Sequence, residues 1–181
     1  MSIETLCKLV TPPEAPVAVP AQPDWARIET AIGVGLPRDY KQFVELFGSG
    51  LFAGFVRVFN AFDPSPYSNL EASIERISED LRRQREDYGE ERIPYDVYPL
   101  RPGLMAWGND ENGNELQWHT NGKPEKWSVV VLEGRGGRWQ EFPCSMTEFL
   151  SKALTKEIRC KIWPRDWPRI SNRKFEPYIG K

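Results

Sequence analysis

Residues 104–122 read LMAWGNDENGNELQWHTNG, and this stretch decides the fold. Leu104–Gly108 is an apolar run, and Asn109–Gly113 is a cluster of turn-forming residues. Asn114–Thr120 then alternates, with Leu116 and Trp118 on one face and Glu115, Gln117 and His119 on the other. Asn121-Gly122 follows as a hairpin signal, because both residues tolerate positive φ. Further on, Trp127–Leu132 reads as a strand, Gly134–Gly137 as a turn and Arg138–Phe142 as a last strand. Four strands joined by tight turns predict an antiparallel meander. Its Leu116/Trp118 face must be covered, and its Glu115/Gln117/His119 face is expected to meet solvent.

The helices that could cover it lie on either side. Asp24 is a plausible N-cap for a short helix carrying Trp25, Ile28 and Ile32, ended by Gly33. Pro37 suits the first turn of a second helix, where Tyr40, Phe43, Val44 and Phe47 recur at helical spacing before Gly48. Phe55–Asn60 reads as a strand and Asp63-Pro64-Ser65-Pro66 as a turn. Ser68 and Glu71 form a capping box for a long helix with an apolar stripe of Leu70, Ile74, Ile77 and Leu81, stopped at Gly89. Its outer face carries the like-charge ladder Glu71, Glu75, Glu79, and Glu79 is also well placed to pair with Arg83. A second capping box, Ser145 and Glu148, opens a closing helix buried through Phe149, Leu150, Ala153, Leu154 and Ile158. Three regions result. Residues 1–23 hold five prolines and are expected to be an extended arm, because proline removes donors and fixes φ. Residues 24–158 form an α+β domain. Residues 159–181, with Trp163-Pro164-Arg165-Asp166-Trp167-Pro168-Arg169, read as an extended basic-aromatic tail.

Composition narrows the function classes. The chain has 181 residues, 40% hydrophobic and 28% charged, which suits one globular domain with extensions. Its three cysteines, Cys7, Cys144 and Cys160, are odd in number and widely spaced, so neither a disulfide framework nor a thiolate metal site is expected. That usage fits a reducing, cytoplasmic setting. The proline-rich start does not resemble a signal peptide, and no run approaches a membrane span. The net charge of −2 is unevenly spread. From Lys156 onward there are eight Lys/Arg against three Asp/Glu, a net of +5; the preceding residues carry 16 against 23, a net of −7. An acidic body attracts a basic partner and repels nucleic-acid phosphates.

No pattern for catalysis or cofactors emerges. His119 is the sole histidine, and no GxSxG nucleophile turn accompanies it, so a Ser-His-Asp triad is not expected. Zinc would need three or four N/S ligands that the spacing does not supply. Asp110–Glu115 resembles a calcium loop only faintly, since its glycine falls at the fourth place, and a tight β-turn fits better. Gly48, Gly50 and Gly54 follow a helix and precede a strand, the reverse of a dinucleotide-binding turn. The carboxylates on the long helix form one row and do not face each other across a cleft, so they read as solvated surface or as a docking face. The tail's tryptophans and arginines are hot-spot residue types, but folding back onto the domain is the favoured reading, because exposed aromatics invite aggregation.

Taken in order, these blocks resemble a known family. Trp25…Ile28-Glu29…Leu36-Pro37-Arg38-Asp39-Tyr40-Lys41-Gln42-Phe43…Phe47-Gly48-Ser49-Gly50 is similar to the N-terminal signature of the SUKH superfamily. Leu104–Asp110 with Gly113-Asn114-Glu115-Leu116-Gln117-Trp118 resembles its central segment, and Trp139-Gln140-Glu141-Phe142 with the Ser145…Phe149-Leu150 helix its end. The resemblance implies helices packed on a curved, mainly antiparallel sheet, with Trp25, Leu36, Pro37, Tyr40, Phe43, Trp107, Leu116 and Trp118 as scaffold. It also implies a protein-binding role without cofactor or shared catalytic residues. Many bacterial members are immunity proteins against toxins, often nucleases; a fungal branch regulates cell-wall assembly. On that footing the expected partner is a basic protein toxin met by a monomer. The surface expected to meet it is Glu115, Gln117 and His119 on the strand with Glu75 and Glu79 on the helix.

Overall fold

The structure, a computed structural model, describes residues 3–135, 137–168 and 173–178. Helices α1 (Ile3–Leu9), α2 (Trp25–Ile32) and α3 (Arg38–Phe47) precede strands β1 (Gly50–Phe52) and β2 (Val56–Val58). The long helix α4 (Leu70–Tyr88) is followed by β3 (Leu104–Asp110), β4 (Glu115–His119), β5 (Ser128–Leu132) and β6 (Trp139–Phe142), then α5 (Met146–Thr155) and β7 (Phe175–Pro177). The strands make one antiparallel sheet in the order β6-β5-β4-β3-β2-β1-β7. The expected α+β architecture, helices on a curved antiparallel sheet, is present.

Both faces of the sheet are covered. Val129, Val130 and Val131 are all fully buried although neighbours on a strand point to opposite faces. On one face Leu116 and Trp118 meet α3 and α5: Tyr40 stands edge-on to Trp118 at 5.2 Å, and Phe149 edge-on to Trp107 at 6.4 Å. On the other face lie α4 and the segment carrying Ile93, Tyr95 and Val97. Trp107 is an extra residue in β3, because the register shifts between Ala106 and Gly108. This bulge puts Trp107 on the same side as Trp118, 6.3 Å away. Of the scaffold residues, Leu36, Pro37, Tyr40, Phe43, Trp107, Leu116 and Trp118 are buried. Trp25 is half-buried, stacked edge-on against Phe62 and Tyr40, with its Nε1 donating to Glu45 Oε1 at 2.7 Å.

Several local expectations are corrected. The arm is not extended throughout: residues 3–9 are helical and pack on α5 through Ile3, Leu6 and Val10. Those residues recur with helical spacing, and the first proline comes only at Pro12. Val17 then bridges to Gly48, and Ser49 N donates to Val17 O at 2.9 Å. Gly48 is required there, since a Cβ would lie 2.3 Å from Val17 O. The cap of α4 is Asn69, whose side chain accepts from Ala72 N, and not Ser68. Ser145 makes no side-chain cap bond on α5. Asp39 of α3 does so instead, its Oδ2 accepting from Thr147 N at 2.9 Å and Thr147 Oγ1 at 3.0 Å. α5 ends at Thr155, leaving Ile158 half-buried beyond it. The tail folds back. Trp163 is buried, Trp167 packs on it, and Phe175–Pro177 pairs with β1. Arg169 and the other residues of 169–172 and 179–181 lie outside the described residues.

Candidate partner-binding surface

The polar face of β4 is not a solvent face. The apolar stripe of α4 needs a surface to bury against, and the sheet supplies the face that carries Glu115, Gln117 and His119. Gln117 is fully buried; its Nε2 donates to Glu115 Oε2 at 3.1 Å, and its Oε1 has no partner among the described residues. Burial pushes the Glu115 carboxyl up to about 7, with Asp80 of α4 adding to the rise and Arg76 opposing it. A partner cannot reach Gln117 in this fold, and Glu115 lies largely beneath the helix. The expectation that these two sit on an open strand face is therefore overturned.

His119 is at the margin of the same face, in a cluster centred on Glu141. Glu141 Oε1 accepts from Ser128 Oγ at 2.5 Å and faces His119 Nδ1 at 3.2 Å, while its Oε2 accepts from Tyr95 OH at 3.0 Å. Burial alone would raise this carboxyl, but the bonds from Ser128, His119 and Tyr95 outweigh it and hold Glu141 below the usual carboxylate range. The cluster has serine, histidine and carboxylate in the wrong order for nucleophilic catalysis. The imidazole must touch the hydroxyl to take its proton. Here the carboxylate stands between them and receives the serine hydroxyl itself. The Tyr95 ring packs edge-on to His119 at 5.0 Å and to Trp139 at 5.3 Å, and Trp139 is 43% exposed. The arrangement is a braced surface patch at the sheet margin.

Glu75 and Glu79 lie on the outer ridge of α4. Glu79 is committed to Arg83, and Glu71 to Arg27 at 3.2 Å. Glu75 is exposed and joins no ion pair among the described residues. It borders a groove of about 560 Å³ between α2 and α4, lined also by Ile32, Ala72, Tyr98 and Arg82. Arg82 is held in place there, its Nη1 donating to Tyr98 O at 3.1 Å. The structure thus does not bring the five expected partner-binding residues together. Glu75 and Glu79 are outside, Glu115 and Gln117 are under α4, and His119 is half-buried beside Trp139. Sequence reasoning missed Tyr95, Trp139 and Glu141. The alternation along Trp139–Phe142 could have paired Glu141 with His119, but only once the strand order was known.

Other polar groups are spent on structure. Asp110 Oδ1 accepts from Asn112 N at 2.9 Å and Asn114 N at 3.0 Å, and Oδ2 from Asn114 Nδ2 at 2.8 Å. Its carboxylate ties a tight turn with Gly113 at φ 79°. The three cysteines are free thiols; burial pushes Cys144 and Cys160 each up to about 11 and raises Cys7, so all three are protonated at neutral pH. Among the described residues no group of three or more His, Cys, Asp or Glu is placed to hold a metal ion, and no helix is long and apolar enough to cross a membrane.

Comparison with known proteins identifies a family. The description SUKH_6: SMI1-KNR4 cell-wall matches residues 22–150, from just before α2 into α5. No curated protein and no solved structure matches. The matched span takes in the LPRDY helix, the bulged tryptophan strand and the meander that close the core described above, and on that evidence the chain belongs to the SUKH superfamily, in its SMI1-KNR4 family.

Proposed function

We propose that the chain is an immunity protein that neutralises a cognate basic toxin, of the nuclease class, by direct protein contact and without catalysis. The observation that carries this is the outer ridge of α4, where an uncommitted Glu75 borders an open groove on a body of net charge −7. A basic partner gains association rate and selectivity from such a surface. Trp139, exposed and backed by the buried Tyr95 ring, offers an aromatic residue of the type that anchors interfaces. The reading needs no cofactor and takes the chain as a monomer; its three free cysteines suit the reducing cytoplasm.

The test is binding to the toxin encoded beside this gene. Glu75→Lys with Glu79→Lys is expected to weaken affinity at least tenfold, mostly through slower association at low salt. Unchanged affinity would remove the α4 ridge from the interface. A second reading, regulation of an endogenous protein partner, is favoured by the cell-wall description of the matching family. Capture of an envelope-synthesis protein, with no toxin gene nearby, would select it.

A further inference from the structure

The segment after α5 builds a concave site of the opposite charge. Lys156 ends the helix in the left-handed conformation, its N–H bonded to the carbonyls of Ala153 and Lys152. Two turns follow, closed by Trp163 N to Cys160 O at 3.3 Å and Trp167 N to Pro164 O at 3.1 Å. Gln140 of β6 pins the first turn, donating to Arg159 O at 3.2 Å and accepting from Lys161 N at 2.8 Å. Trp163 is wedged edge-on against Phe55 at 5.6 Å and Phe149 at 5.2 Å. Trp167 lies against Trp163 at 4.6 Å and donates its Nε1 to Ala53 O at 3.2 Å. Both indoles are therefore fixed before any ligand arrives.

Between them and the end of α5 is a cavity of about 360 Å³, within the size range of small-molecule sites. Trp163 and Trp167 line it, and so do Lys156, Arg159 and Arg165. No carboxylate does: Asp166 is not among its lining residues, and Glu157 is turned to Thr155, whose Oγ1 donates to it at 2.7 Å. None of the three cations forms an ion pair among the described residues. The site lies beyond the residues matched by the family, on elements separate from the α4 ridge.

We propose that this cavity binds a ring-bearing phosphate of mononucleotide size, its ring on the half-buried Trp167 with Trp163 behind, and its phosphate held by Lys156, Arg159 and Arg165. Indole faces accept any planar base. Guanidinium forks match phosphate oxygens, and three cations without a lining anion favour a dianion over a single carboxylate.

The experiment is isothermal titration of the full chain with AMP, adenosine and ribose 5-phosphate. Saturable AMP binding is expected, at least tenfold tighter than either fragment. Arg159→Glu with Arg165→Glu should weaken AMP at least tenfold; both side chains are exposed, and an unchanged thermal midpoint confirms folding. Should charge reversal disturb the turns, Arg159→Gln with Arg165→Gln must show the same direction of loss. Three results would overturn the assignment: no saturable AMP binding up to about 5 mM, AMP affinity untouched by the arginine changes, or ribose 5-phosphate binding as tightly as AMP.

Discussion

Replacing Glu115 by glutamine should stabilise the protein above neutral pH and leave it unchanged in mild acid. In the folded chain burial pushes this carboxyl up to about 7, against an ordinary value of 4.5. An acid raised on folding keeps a proton that the unfolded chain has lost. Its contribution is therefore fully present below about 4.5, is lost as pH rises through about 7, and is flat beyond. The gap corresponds to about 3 kcal/mol, and the partial exposure of Glu115 lowers the expected effect to about 2 kcal/mol. Glutamine keeps the oxygen that accepts from Gln117 Nε2 and adds an N–H for the orphaned Gln117 Oε1. Urea unfolding of wild type and Glu115→Gln at pH 4.5, 6, 7 and 8.5 reads the difference directly, with all other titrations cancelling. The two stability curves should diverge across that range. Parallel curves would refute the claim that α4 seals the polar face of β4.

Other consequences are equally specific. Asp39→Ala should cost about 2–3 kcal/mol in urea unfolding, since it removes the cap of α5 and strands the buried Thr147 hydroxyl; Thr147→Val in the Asp39→Ala background should then cost almost nothing more. Phe175→Ala should lower stability by about 1–2 kcal/mol and speed hydrogen exchange at Ala53 and Tyr178, whose amides bond across β1 and the C-terminal segment; unchanged exchange there would show that Phe175 does not hold β7.

Periodic signals survived translation into three dimensions better than polar ones. The stripes on α3, α4 and α5 and the alternation of β4 each named a face to bury, and those faces are buried. The polar row on β4 misled because alternation tells which residues share a side, not whether a second layer covers it. The stripe Leu70, Ile74, Ile77, Leu81 was the missing clue, since α4 had to find a partner and only the second face of the sheet was free. Asp39 was invisible as a cap because its target lies 108 positions along the chain. The bulge at Trp107 leaves no local mark beyond an aromatic before Gly108, where a Cβ would sit 2.5 Å from Arg57 O. α1 and β7 are short, and proline-rich neighbours mask them.

The last strand has a practical bearing on how the protein is handled. β7 occupies the outer rim of β1, and its Phe175 ring packs on Phe43 and Phe47 so close over Gly50 that a side chain there has no room. Trimming the polypeptide to the boundaries of its recognised family would strip that rim and leave three residues of hydrogen-bonding backbone beside bare phenyl rings. Such a rim is a template for lateral joining, so the shortened molecule should pair with itself or precipitate, whereas the 181-residue chain is shielded.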